Sequence, residues 1–168
     1  LNINFPERKT IFGRKFKQLR YGENPHQESS IYVNSYNDTE LGLEQLGGKE
    51  LSFNNYSDIF ASLEILSSLK GNPATVVVKH ANPCGISLNK LALVSFKNAY
   101  ACDPISSFGG VIACNFKVNK QIAELISKNF LEVIMAKNLG VFCTKICYFI
   151  EENKTQNGPL VFRTVLCS

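Results

Sequence analysis

The chain has 168 residues, 45% of them hydrophobic, 19% charged and 11% aromatic, which supports a packed core. A disordered tail, a collagen-like fibre and a disulfide-rich miniprotein are excluded by that composition. Eighteen Lys and Arg against 14 Asp and Glu give +4, but the basic residues do not gather into a block interleaved with aromatics. That distribution argues against a nucleic-acid surface and fits an anionic small molecule.

Taken in order, residues 1–28 are polar, basic and Pro-containing and read as linker and loop. Leu1 to Pro6 lacks the apolar core of a signal peptide, and a first residue other than Met fits a fragment or processed product. Ile31-Tyr32-Val33 predicts a short strand. Ser57 is the expected N-cap of a helix with Ile59, Phe60, Leu63, Leu66 and Leu69 along one face, stopped by Gly71 and Pro73. The β-branched run from Ala74 to Lys79 predicts a buried strand. Ser87 or Asn89 opens a second helix carrying Leu91, Val94, Ala99 and Tyr100, ended before Asp103-Pro104. Gly110 to Phe116 reads as a strand, Asn119 as the cap of a third helix with Ile122, Leu125 and Ile126 inward, and Leu131 to Ala136 as a last strand. Strands alternating with helices indicate an α/β layered domain with helices packed on a central sheet.

Beyond Ala136 neither period is clean, and three of the six cysteines (Cys143, Cys147, Cys167) fall there. With no CxxC pair and only two histidines, a metal site is not expected, and the cysteines read as reduced thiols in a reducing compartment. No apolar run approaches the roughly 20 residues of a membrane-spanning helix.

Four segments could carry chemistry. Lys79-His80-Ala81-Asn82-Pro83-Cys84-Gly85 follows the buried strand, so Lys79 and His80 should emerge at its carboxyl end, where open α/β sheets place ligands. Lys79 suits a phosphate, a carbonyl oxygen or a developing oxyanion, and His80 can take up or release a proton near neutral pH. Cys84 offers a rival, a thiol nucleophile with His80 as base, although Pro83 breaks helical spacing. In Arg20-Tyr21-Gly22-Glu23-Asn24-Pro25-His26-Gln27, Arg20 is a natural phosphate ligand and Tyr21 adds a hydroxyl and a flat face, with His26 expected to tie the turn. Gly48-Lys49-Glu50-Leu51-Ser52-Phe53-Asn54-Asn55 and the glycine turn Asp103 to Gly110 complete the set; the former lacks phosphate-loop spacing.

In this order and spacing, the four segments resemble the transformylase domain of the bifunctional purine-biosynthesis enzymes that combine AICAR formyltransferase and IMP cyclohydrolase. The resemblance runs from Phe5 to Ala136. It implies one half of a cytidine-deaminase-like three-layer fold, at residues 19–136, with residues 1–18 as the end of an interdomain linker. Residues 137–168 lie outside it, as an unrecognised, divergent or frameshifted end. The implied reaction moves a formyl group from the cosubstrate 10-formyltetrahydrofolate to the 5-amino group of AICAR. His80 would be the proton acceptor and Lys79 would stabilise the transition state; Arg20, Tyr21, Asn54, Gly109 and Glu132 match substrate-contacting positions. The H-x-E and P-C-x-x-C signature of zinc deaminases is absent, so no metal is expected. The resemblance further implies a cytoplasmic homodimer in the full-length enzyme, with the cyclohydrolase domain and most of the folate site outside this chain. A fragment inactive by itself, a non-catalytic nucleotide-binding module and a Cys84-dependent hydrolase are the remaining expectations.

Overall fold

The computed structural model describes residues 10, 12–33, 43–139 and 163–167. In chain order its elements are β1 (Arg14–Gln18), β2 (Ser30–Val33), β3 (Leu43–Gly47), α1 (Phe53–Ser68), β4 (Ala74–Lys79), β5 (Asn82–Leu88), α2 (Ala92–Cys102), β6 (Gly110–Val118), α3 (Lys120–Ile126), β7 (Leu131–Leu139) and β8 (Arg163–Cys167). Strands β1 and β2 pair antiparallel as a separate ribbon, and the other six form one mixed sheet in the order β3-β8-β7-β6-β4-β5.

Alternation in the two central strands sets the layering. Val111 and Ala113 of β6, with Val133 and Met135 of β7, pack with Tyr56 and Ile59 of α1. Their neighbours Ile112, Cys114, Ile134 and Ala136 point the other way and pack with Phe96 and Ala99 of α2 and Ile122, Ala123 and Ile126 of α3. Both faces of these strands are therefore dry, which accounts for the apolar run Val111–Cys114, and Ala74–Val78 of the neighbouring β4 is buried throughout as well. The chain is thus a small α/β unit with a mixed sheet and helices on both faces. β6 and β7 run parallel, joined through α3, while β4 is antiparallel to both its neighbours.

Several elements differ from expectation. The first helix starts five residues earlier than Ser57, with Ser52 as its N-cap. Ser87 lies inside β5, and the second helix begins after Leu91; Asn89 contributes from outside it, its Oδ1 accepting the Leu91 amide at 3.0 Å. Arg14–Gln18, read as linker, is strand β1. Asn119 caps α3 as expected, its side chain accepting the Ile122 amide at 3.0 Å. Within the tail beyond Ala136, Arg163–Cys167 pairs parallel with β7 and antiparallel with β3; residues 140–162 lie outside the described set. No helix among the described residues is long and apolar enough to cross a membrane.

Helix α2 lies so close to β5 that a Cβ at Gly85 would stand 1.9 Å from the carbonyl oxygen of Ala99. Relief would require moving backbone rather than a side-chain tip. Gly85→Ala should therefore lower unfolding stability by about 1–3 kcal/mol or more in urea titrations; an unchanged midpoint would contradict this packing.

Candidate functional site

The first two turns of α1 hold three separate chain segments. Ser52 and Asn55 form a reciprocal capping box: the Asn55 amide donates to Ser52 Oγ at 3.3 Å, and the Ser52 amide donates to Asn55 Oδ1 at 3.0 Å. The hydroxyl of Ser52 also donates to Oδ1, at 2.9 Å. Because the box uses only its oxygen, the Asn55 side chain, unlike a Glu at that position, keeps an amide nitrogen for other use. It donates to Glu132 Oε2 at 2.6 Å, which ties the start of β7 to the helix.

The neighbouring helix positions grip the Arg20 loop. The Phe53 amide donates to the Tyr21 carbonyl at 3.0 Å, the Arg20 amide to the Leu51 carbonyl at 3.2 Å, and Asn54 Nδ2 to the Glu23 carbonyl at 3.0 Å. Within the loop, Gln27 ties the turn rather than His26. Its side-chain oxygen accepts the Asn24 amide at 2.8 Å, while its backbone carbonyl accepts the Gly22 amide at 2.7 Å. Arg20 and Tyr21 form their own pair: Nη2 donates to the phenolic oxygen at 2.8 Å, and the guanidinium carbon stands 4.5 Å from the ring centroid. Arg20 is exposed, so its guanidinium remains accessible to an anion.

One turn further along α1, Asp58 reaches the Lys79-His80 segment. Lys79 closes β4, pairs with Asn82 of β5, and leaves His80 and Ala81 as the two-residue turn of a hairpin. Both have positive φ, 53° and 58°, the left-handed pair that a type I′ turn requires. Asp58 Oδ1 accepts the Ala81 amide at 2.6 Å. Burial pushes the Asp58 carboxyl up from its ordinary range; the Ala81 amide, the His80 charge and the His80 amide pull it back, and Glu132 adds a further upward push. Asp58 thus senses both His80 and Glu132.

On the other side of the turn, the Lys79 ammonium donates to the Phe108 carbonyl. A Cβ at Gly109 would stand 3.9 Å from Lys79 Nζ and 3.1 Å from the Phe130 ring, and Gly109 has φ of 71°, so this corner accepts glycine alone without strain. The Gly109 amide donates to the Phe130 carbonyl at 2.8 Å, and the Phe108 and Phe130 rings pack with centroids 4.8 Å apart. Lys79, His80, Asn54, Gly109 and Glu132 are thereby brought to one end of the sheet. Arg20 and Tyr21 are joined to them through α1.

Cys84 is less suited to nucleophilic chemistry. Its sulfur is half-buried and faces the Asn82 carbonyl at 3.9 Å, and burial, with Asp103 adding to it, raises the thiol pKa. That keeps the sulfur protonated. Among the described residues, no group of three or more His, Cys, Asp or Glu could hold a metal ion.

Sequence reasoning overlooked Asp58 and assigned no capping role to Ser52 and Asn55. Two signals were available: the Ser-x-x-Asn spacing before an apolar face, and Asp58 lying four and three residues after Asn54 and Asn55, hence on the same side of the helix.

The sequence pattern of the AICARFT/IMPCHase bienzyme family matches residues 2–147. The chain belongs to that family. Its relatives in the family include bifunctional purine biosynthesis proteins PurH. The one from Elusimicrobium minutum is 46% identical over 136 residues, covering 81% of this chain and 26% of the relative. That of Oceanobacillus iheyensis is 44% identical over 134 residues, covering 79% and 26%. The Thermoanaerobacter sp. X514 protein is 45% identical over 138 residues, covering 80% and 27%. The chain spans about a quarter of the length of these AICARFT/IMPCHase relatives.

The raised carboxyl of Asp58 gives a pH signature with a definite sign. Because its folded-state pKa exceeds the unfolded one, Asp58 contributes stability that is complete below the ordinary value of 3.8 and is lost as pH rises through the folded value. Asp58→Asn keeps an acceptor oxygen for Ala81 but does not titrate. In denaturation series from acid to neutral pH, its stability should rise relative to wild type as pH increases; a difference that shrinks with rising pH would contradict the burial argument.

Proposed function

We propose that this chain is the first half of an AICAR transformylase unit, with the cytidine-deaminase-like three-layer arrangement at residues 19–136, residues 1–18 as a linker end and residues 137–168, of which the family pattern still covers 137–147, as an unrecognised, divergent or frameshifted end. The reaction is formyl transfer from 10-formyltetrahydrofolate to the 5-amino group of AICAR. The observation that carries the reading is the tight turn that presents His80 beside Lys79 on the end of the sheet to which α1 also anchors Arg20, Tyr21 and Glu132.

The amine of AICAR is a weak nucleophile, because its ring withdraws electron density. Attack on the formyl carbon forms the C–N bond while the amine proton passes to His80, which acts as general base. The formyl oxygen gains negative charge, and Lys79 stabilises it; an ammonium has three N–H donors, so the bond to Phe108 leaves two. Collapse breaks the bond from the formyl carbon to the folate N10, and that nitrogen recovers the proton from His80. Arg20 suits the nucleotide phosphate, and Tyr21, Asn54, Gly109 and Glu132 contact the rest of AICAR. Under this reading the folate site is completed by parts of the enzyme beyond this chain, in a cytoplasmic homodimer, and the chain by itself is inactive.

His80→Ala in the full-length enzyme should lower kcat for formyl transfer by about 10²–10⁴-fold. Calorimetric affinity for AICAR should stay near the wild-type value. Unchanged turnover would defeat the assigned role of His80; loss of AICAR binding with intact turnover per bound substrate would recast it as a binding residue.

A further inference from the structure

The hairpin carrying His80 uses residues poorly matched to its turn. Type I′ turns favour Asn-Gly, because both central residues adopt left-handed backbone. Here they are His80 and Ala81, at φ of 53° and 58°. Ala81 has neither the freedom of glycine nor a polar side chain that could bond its own backbone, so its conformation must be held from outside. On one side Asn82 Nδ2 donates to the His80 carbonyl at 2.8 Å. On the other, the buried carboxylate of Asp58 accepts the Ala81 amide at 2.6 Å, across 23 residues of sequence.

We propose that Asp58 is the positioning residue for His80: by binding the Ala81 amide it fixes the left-handed turn and so the direction in which the imidazole leaves the sheet. The inference rests on the reading of His80 as the proton acceptor in formyl transfer. Asp58 touches neither substrate nor formyl group; it acts through the backbone of Ala81. Its own helix is anchored by the Ser52–Asn55 box and by Glu132, so the carboxylate is a rigid reference point. Without it the turn relaxes toward ordinary φ and displaces the imidazole from the attacking amine.

Three variants test this in the full-length enzyme. Asp58→Ala should lower kcat by about 10- to 100-fold, the scale of a small misplacement, while KM for AICAR changes by less than about threefold. Asp58→Asn, which retains an acceptor oxygen, should recover most of that loss. The double variant Asp58→Ala with Ala81→Gly should also recover, because glycine adopts the left-handed turn unaided. On the 168-residue chain itself, hydrogen exchange at the Ala81 amide should speed up by about tenfold or more in Asp58→Ala, with Val76 to Val78 keeping their protection. Wild-type kcat in Asp58→Ala, no recovery in either rescue variant, or unchanged Ala81 exchange would each overturn the proposal. A wild-type enzyme without formyl transfer would instead overturn the parent reading, and the exchange comparison would still decide whether Asp58 holds the turn.

Discussion

The start of α1 is the constraint on which the rest depends. A helix N-terminus leaves backbone amides unpaired; the Ser52–Asn55 box satisfies those of Ser52 and Asn55 with side chains from the same turn, and the Phe53 amide turns to the Tyr21 carbonyl. Choosing Asn at the third position frees an amide for Glu132, and the adjacent positions bind Tyr21, Arg20 and Glu23 through backbone and side-chain hydrogen bonds. Asp58, a turn later, takes the Ala81 amide. A loop near residue 20, a hairpin near 80 and a strand start near 132 are all tied to the same six residues of helix.

Helix α1 is itself seated by packing rather than by propensity. Tyr56 and Ile59 enter the layer formed by Val111, Ala113, Val133 and Met135, while the other faces of β6 and β7 are sealed by α2 and α3. Two dry layers leave the strands no freedom to slip, since a shift of one residue would exchange the two faces. The ends of β4, β6 and β7 are therefore fixed relative to α1, and polar groups at that end are positioned by a rigid scaffold. The glycine corner at Gly109 and the Lys79 bond to Phe108 complete it from the side away from the helix.

Much of this was legible in the amino-acid order. The β-branched run before Lys79-His80 marks a buried strand, whereas the hairpin turn at its end and the return strand β5 were not read. The spacing of Ile122, Leu125 and Ile126 after Asn119 likewise defines α3 and its cap. What was missed has physical reasons. β5 carries Asn82, Pro83 and Gly85, residues depleted in strands, and is tolerated because it is an edge where Pro83 need not donate to a second neighbour. The first turn of α1 contains two asparagines of modest helix propensity, which made Ser57 look like the better cap. The place of Asp58 on the Asn54–Asn55 side of α1 follows from spacing, but its partner, the Ala81 amide on another element, is visible only in three dimensions. The basic, partly alternating Arg14–Gln18 segment gains strand character from pairing with β2, a tertiary effect no local pattern announces.

Under the proposed function, α1 gathers one nucleotide-binding face at the carboxyl end of β4. Mapping amide chemical shifts of this chain during titration with AICAR tests it most directly. Shifts should cluster at Arg20, Tyr21, Asn54, the His80-Ala81 turn, Gly109 and Glu132, with Asn72, Asn89 and Asn115 at the opposite end of the sheet unaffected. Saturable shifts confined to that opposite end, or to the outer face of α2, would contradict it.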